Sequence, residues 1–153
     1  MEQFAWPVRV YYEDTDAGNA VYHANYLKYL ERARSERLRK AGIELPDLLA
    51  RHNMLLVISR AEMQFKQIAG LADCLLVTAN IGNASRVAMD FEQTIYKTDQ
   101  RLFNQAMKNP MVSADDFGAI VVQAKVTVVC MDNDKRKPMR MNDAVLKEIL
   151  GEY

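Results

Sequence analysis

The sequence predicts an α+β domain in which an antiparallel sheet wraps around one long helix. Three observations carry that prediction. A single extended helical pattern comes early, several strand-like runs with one apolar face follow in succession, and 153 residues suffice for one sizeable core. Nothing in the composition marks a linker or a second core, so residues 1–153 read as one domain.

Taken in order, Val8-Arg9-Val10-Tyr11-Tyr12 reads as an opening strand. From about Tyr22 to Ala41, apolar side chains recur at Tyr22, Tyr26, Tyr29, Leu30, Ala33, Leu38 and Ala41, with Lys28, Arg32, Glu36 and Lys40 on the other side. Gly42 stops this helix, and Pro46 opens a short second helical turn reaching Arg51. Three alternating runs follow. Ala61, Met63 and Phe65 oppose Arg60, Glu62 and Gln64; Leu75, Val77, Ala79 and Ile81 oppose Thr78 and Asn80; Val87, Met89, Phe91 and Ile95 oppose Asp90, Glu92 and Thr94. Each is expected to have one dry face and one wet one. A last strand, about Ala119 to Met131, and a short terminal helix from Asn142 to Leu150 complete the expected order.

Composition excludes several classes of function. Twenty basic and twenty acidic residues cancel, which argues against a broad surface for nucleic acid or anionic membrane. Cys74 and Cys130 each lie inside an apolar run and are expected as buried, reduced thiols rather than a disulfide. The first residues lack a secretion signal, and no run approaches the ~18 apolar residues of a membrane span, so the expected location is cytoplasmic. His23 and His52 are the only histidines and no Cys/His spacing suits a metal; neither metal nor cofactor is expected.

The chemistry concentrates in residues 11–36. The opening strand delivers Asp14 and Asp16, a Gly18-Asn19 turn follows, and the chain then enters the long helix. The first N–H groups of a helix lack intrahelical partners and carry the positive end of its dipole, so they can hold a polarised carbonyl oxygen. Considered in isolation, Asp14 and Asp16 read as turn or helix-capping residues more readily than as catalytic groups. Their surroundings decide between these roles. Arg9-Val10-Tyr11-Tyr12-Glu13-Asp14-Thr15-Asp16-Ala17-Gly18, then Val21-Tyr22-His23-Ala24, Tyr26 and Glu31-Arg32-Ala33-Arg34, resemble the 4-hydroxybenzoyl-CoA thioesterase-like branch of the hotdog-fold superfamily. Within it, the resemblance is strongest to the Tol-Pal-associated acyl-CoA thioesterases, and it extends more weakly over most of the chain. The family commonly has Gly-Val where this chain has Asn19-Ala20; asparagine is the non-glycine residue most tolerant of left-handed backbone angles.

The resemblance implies a hotdog fold and hydrolysis of an acyl-CoA thioester to free acid and coenzyme A. It gives Asp16 the catalytic carboxylate position, as general base or as nucleophile, and gives the backbone N–H of His23 the task of polarising the carbonyl. Tyr22 and Tyr26 fit core aromatics and are also candidates for substrate contact; Asp14 is structural. Another hotdog branch uses a helix carboxylate, but the complete loop motif makes Glu31 and Glu36 the weaker candidates. Lys135-Arg136-Lys137, the densest basic cluster, is the candidate for coenzyme A phosphates. Hotdog relatives place the site at a dimer interface, so a homodimer or homotetramer is implied, with acyl-CoA or acyl carrier protein as partner. A reading from another class is a binding protein with little turnover. Residues 102–118 depart from the family pattern, which has a much shorter connection there. A short helix before Pro110 is expected, and its apolar side chains are expected to cover the acyl pocket or to meet a second subunit.

Overall fold

The computed structural model describes residues 2–151. Its chain order is β1 (Glu2–Arg9), α1 (Asn25–Lys40), α2 (Leu45–His52), β2 (Met54–Phe65), β3 (Cys74–Thr78), β4 (Asn80–Ala84), β5 (Ala88–Thr98), α3 (Gln100–Lys108), β6 (Met111–Ser113), β7 (Ala119–Asp132) and α4 (Asp143–Leu150). The strands form an antiparallel sheet in the order β2-β7-β5-β3-β1-β6, with β4 paired to β5. Helix α1 lies across one face, burying Tyr26, Tyr29, Leu30, Ala33 and Leu38 against Val8, Leu75, Val77, Phe91, Ile95 and Val126. Val145 and Ile149 of α4 join the same core.

Four expectations are corrected. The opening strand starts and stops earlier than expected: Phe4, Trp6 and Val8 alternate inward, and after Arg9 the chain leaves the sheet, so Tyr11 and Tyr12 lie outside it. Pro7 is compatible with that strand because β6 pairs only with Glu2, Gln3 and Phe4. The N–H of Ala5 points outward to the Pro110 carbonyl, so the donor missing two residues later falls on the open side. Helix α1 begins at Asn25 rather than Tyr22, leaving Tyr22 and His23 in the approach turn. The run from Leu75 to Ile81 breaks at Ala79 into two strands.

The fourth correction concerns the outer face of the sheet. Strand β3 is buried on both sides, with Leu76 as inaccessible as Leu75 and Val77. Helix α3 is the reason. Leu102, Ala106 and Phe117 pack on Ala5, Leu76 and Val112 to form a second core behind the sheet, and Asp99 caps α3 by accepting the Leu102 N–H at 2.7 Å. The helix expected before Pro110 is present, but its apolar side chains settle on the chain's own sheet. Gly118 closes the segment at φ +117, where a Cβ would fall 2.0 Å from the Lys97 carbonyl oxygen.

The two edges of the sheet differ. Strand β6 is three residues long, whereas β2 runs for twelve with Ile58 and Phe65 about half exposed. A long edge with exposed apolar side chains is a surface suited to pairing with another strand. Among the described residues no helix is long and apolar enough to cross a membrane.

Candidate active site

The loop from Val10 to Ala24 is tied at every few residues. The Tyr11 N–H donates to Asp14 Oδ2 at 2.8 Å, closing a single 3-10 turn over Tyr12–Asp14. The Asp14 carbonyl then accepts the Tyr22 N–H and Asn25 Nδ2, both at 2.9 Å, so it clamps the far end of the loop to the start of α1. Inside the clamp, Thr15 pairs with Val21, the Asp16 N–H donates to the Ala20 carbonyl at 2.9 Å, and the Asn19 N–H donates to the Asp16 carbonyl at 3.0 Å. Asn19 holds φ +59, the left-handed conformation that asparagine tolerates best after glycine. The Val21 N–H donates to the Ala69 carbonyl and Ala20 bridges Gly70, fixing this small hairpin to the segment before β3. Asp14 is thus the structural residue expected of it.

This scaffold places Asp16 in the small hairpin before α1 and His23 in the turn that leads into the helix. The Gly18 N–H donates to Asp16 Oδ1 at 2.8 Å, which orients the carboxylate and leaves its other oxygen open. Both Asp16 and His23 are exposed. Among the described residues, the first α1 amide with a backbone acceptor is that of Asn25, donating to Tyr22; the His23 and Ala24 N–H groups make no backbone hydrogen bond. These are the orphan donors at the positive end of the helix dipole.

Aromatic rings frame the imidazole. Tyr22 lies 4.7 Å from it and Phe65 approaches edge-on at 6.4 Å. Phe65 also sits 6.0 Å from Tyr26, which itself packs on Tyr29. Tyr22 is half exposed beside His23, whereas Tyr26 is a core residue whose burial pushes its hydroxyl pKa up. Tyr29 is fully buried, and burial together with the neighbouring Asp14 carboxylate raises its hydroxyl pKa well above the usual phenol range. Phe65 was not singled out from sequence as a site residue, because a terminal apolar position of an alternating strand carries no distinguishing signal.

Lys135, Arg136 and Lys137 are not brought to Asp16 within one subunit. They occupy the turn after β7, with Arg136 at φ +55. Asp132 pairs with Met54 at one end of β2, while Phe65, beside His23, is at the other end. Eleven strand residues separate those ends, roughly 36 Å at the usual rise per residue. Closer to the loop, a cleft of about 770 Å³ runs between β1, α1 and α3, with Arg9, Arg32 and Lys108 among its lining. Cys74 and Cys130 are free and buried, as expected, and burial pushes the Cys130 thiol up to about 11, so it is no nucleophile near neutral pH.

A long helix wrapped by an antiparallel sheet is the hotdog fold. The match to the thioesterase-like superfamily over residues 10–149 makes the chain a member of that family. It is 34% identical over 145 residues to the acyl-CoA thioester hydrolase YbgC of Escherichia coli O157:H7, covering 95% of this chain and 94% of that protein. It is 35% identical to the acyl-CoA thioesterase YbgC of Haemophilus influenzae, covering 89% and 86%. Among solved structures, a probable thioesterase from Bartonella henselae superposes with a TM-score of 0.75 at 26% identity, covering 92% of this chain and 99% of that one. A 1,4-dihydroxy-2-naphthoyl-CoA thioesterase from Synechocystis gives 0.78 at 20% identity, covering 96% and 95%.

Proposed function

We propose that this protein hydrolyses acyl-CoA thioesters to a carboxylic acid and coenzyme A, with Asp16 as the catalytic carboxylate and the His23 backbone N–H as oxyanion donor. What supports this reading is a carboxylate oriented in the hairpin that precedes α1, followed by approach-turn amides that, among the described residues, make no backbone hydrogen bond. Asp16 activates water, or attacks the thioester carbonyl to give a mixed anhydride that water then cleaves to the acid, regenerating the carboxylate. Charge developing on the carbonyl oxygen is held by the amide and the helix dipole, and the sulfur leaves as coenzyme A thiolate. Retention of the left-handed turn at Asn19 supports turnover over mere binding. Release of free thiol from a panel of acyl-CoA substrates tests the reading directly.

The roles of amide and imidazole separate experimentally. His23→Ala keeps the N–H, so it should retain appreciable kcat, with a pH–rate profile parallel to that of the parent. A loss as severe as that of Asp16→Asn would assign the catalysis to the imidazole instead.

Catalysis at this exposed loop also requires cover, because hydrogen bonds to a developing charge are worth most where water is excluded. A homodimer paired through the long β2 edge supplies it. Antiparallel pairing about a two-fold axis sets the Met54 end of one strand against the Phe65 end of the other. The partner subunit's Lys135, the partner subunit's Arg136 and the partner subunit's Lys137 then approach Asp16 and His23, where they would hold coenzyme A phosphates and steady Tyr22 against the substrate. Mixing a Asp16→Asn subunit with one in which all three basic residues are alanine should restore activity above either homodimer, since one composite site is intact. No recovery in verified mixed dimers would show that the cluster does not act across the interface.

A further inference from the structure

Midway along α1 lies a buried cation that the hydrolytic chemistry does not use. Arg34 is 7% exposed, and one of its terminal nitrogens donates to Gln93 Oε1 at 3.0 Å. Gln93 is itself fixed, its amide nitrogen donating to the Leu30 and Thr78 carbonyls at 3.1 and 3.0 Å. Among the described residues no carboxylate forms an ion pair with Arg34. Its remaining donors border a pocket of about 100 Å³ between α1 and the sheet, with apolar walls from Leu38, Leu56, Ile58, Phe91 and Val128. Glu31 and Ser35 also line it, and the Ser35 hydroxyl donates to Glu31 Oε1 at 2.7 Å. A guanidinium and a carboxylate thus face one small apolar space, three residues apart on the helix, without pairing to each other.

We propose, building on the thioesterase reading, that this pocket receives the far end of an aliphatic acyl chain and selects chains that carry a hydroxyl there. A hydroxyl oxygen accepts from Arg34 while its proton is donated to the exposed Glu31 carboxylate, so one group of the acyl chain meets both sides of the pocket mouth. A terminal carboxylate meets Arg34 equally well but is repelled by Glu31. The volume is below the ~150 Å³ of a cavity that holds benzene, which favours a chain end over an aromatic ring. Arg34 lies nine residues beyond Asn25, the first residue of α1, about 14 Å along the helix axis at 1.5 Å per residue. A medium-length chain laid along α1 from Phe65, beside His23, to Ile58, at the pocket, covers that span.

The test compares decanoyl-CoA, ω-hydroxydecanoyl-CoA and the ω-carboxy analogue as substrates, and decanoic and ω-hydroxydecanoic acids as calorimetric ligands of the parent protein. The hydroxylated substrate should lead decanoyl-CoA in kcat/KM by about 10- to 100-fold, the usual effect of hydrogen bonds to charged groups. In Arg34→Met and in Glu31→Leu that ratio should collapse toward one. Turnover of decanoyl-CoA with no hydroxyl advantage would overturn the proposal and leave the hydrolase reading standing. Tighter binding of the hydroxy acid without turnover of any thioester would support the pocket and sink the hydrolase reading. A preference for the ω-carboxy substrate, or dissociation of the oligomer in Arg34→Met, would overturn the proposal by giving the guanidinium to a different ligand or to a subunit contact.

Discussion

Asp16→Asn is expected to lower kcat for acyl-CoA hydrolysis by at least ~10²–10⁴, the typical contribution of a general base, and by more if Asp16 is the nucleophile. The fold should survive the change. Asp16 is exposed, and its carbonyl and N–H hold the hairpin whatever the side chain. An asparagine also retains an oxygen for the Gly18 N–H, which now donates to Oδ1 at 2.8 Å. Circular dichroism and sedimentation should therefore match the parent while thiol release fails. Near-normal kcat would remove Asp16 from the mechanism.

The second large effect is on stability. Replacing residues 102–118 by a short Asn-Gly turn removes Leu102, Phe103 and Phe117, each buried to within 6% of full. At about 1.5–3 kcal/mol for each side chain of this size, the loss is about 4.5–9 kcal/mol. That is comparable with the whole stability of many domains, ~5–15 kcal/mol. The shortened protein should also expose the outer face of β3, where Leu76 is now inaccessible. A large fall in the unfolding midpoint, or recovery only as aggregate, is the expected result. An unchanged midpoint would mean that the second core contributes little and would return the segment to a role as a cover or contact surface.

That segment illustrates what the sequence makes legible and what it hides. The spacing of Leu102, Phe103 and Ala106 announces a helix with an apolar face, but periodicity says nothing about which surface the face meets. Leu76 and Ala5, on the other side of alternating strands, supply that surface only after the sheet has formed. For the same reason β3 reads as half wet from its own alternation and proves dry on both sides. The loop from Val10 to Ala24 is legible for the opposite reason: its hydrogen bonds are local, nearly all of them between residues 11 and 25, so a contiguous stretch of sequence encodes its geometry. For Lys135 to Lys137, charge density locates a turn but not which end of a long ladder carries it, so their distance from the loop emerges only with the β2–β7 register. Arg34 is similarly opaque. In sequence it is one more basic residue of a polar helix, and only the approach of Gln93 from β5 shows that it is buried.

The central claim is turnover, and the most direct measurement of it is the number of coenzyme A molecules released per protein chain from a panel of acyl-CoA substrates, followed with a thiol reagent under excess substrate. The protein should release many equivalents from at least one medium-chain thioester, and Asp16→Asn should release none above background on the same timescale. Saturable binding of acyl-CoA with no more than one equivalent of thiol released, unchanged by Asp16→Asn, would contradict the account and make the protein a carrier of thioesters.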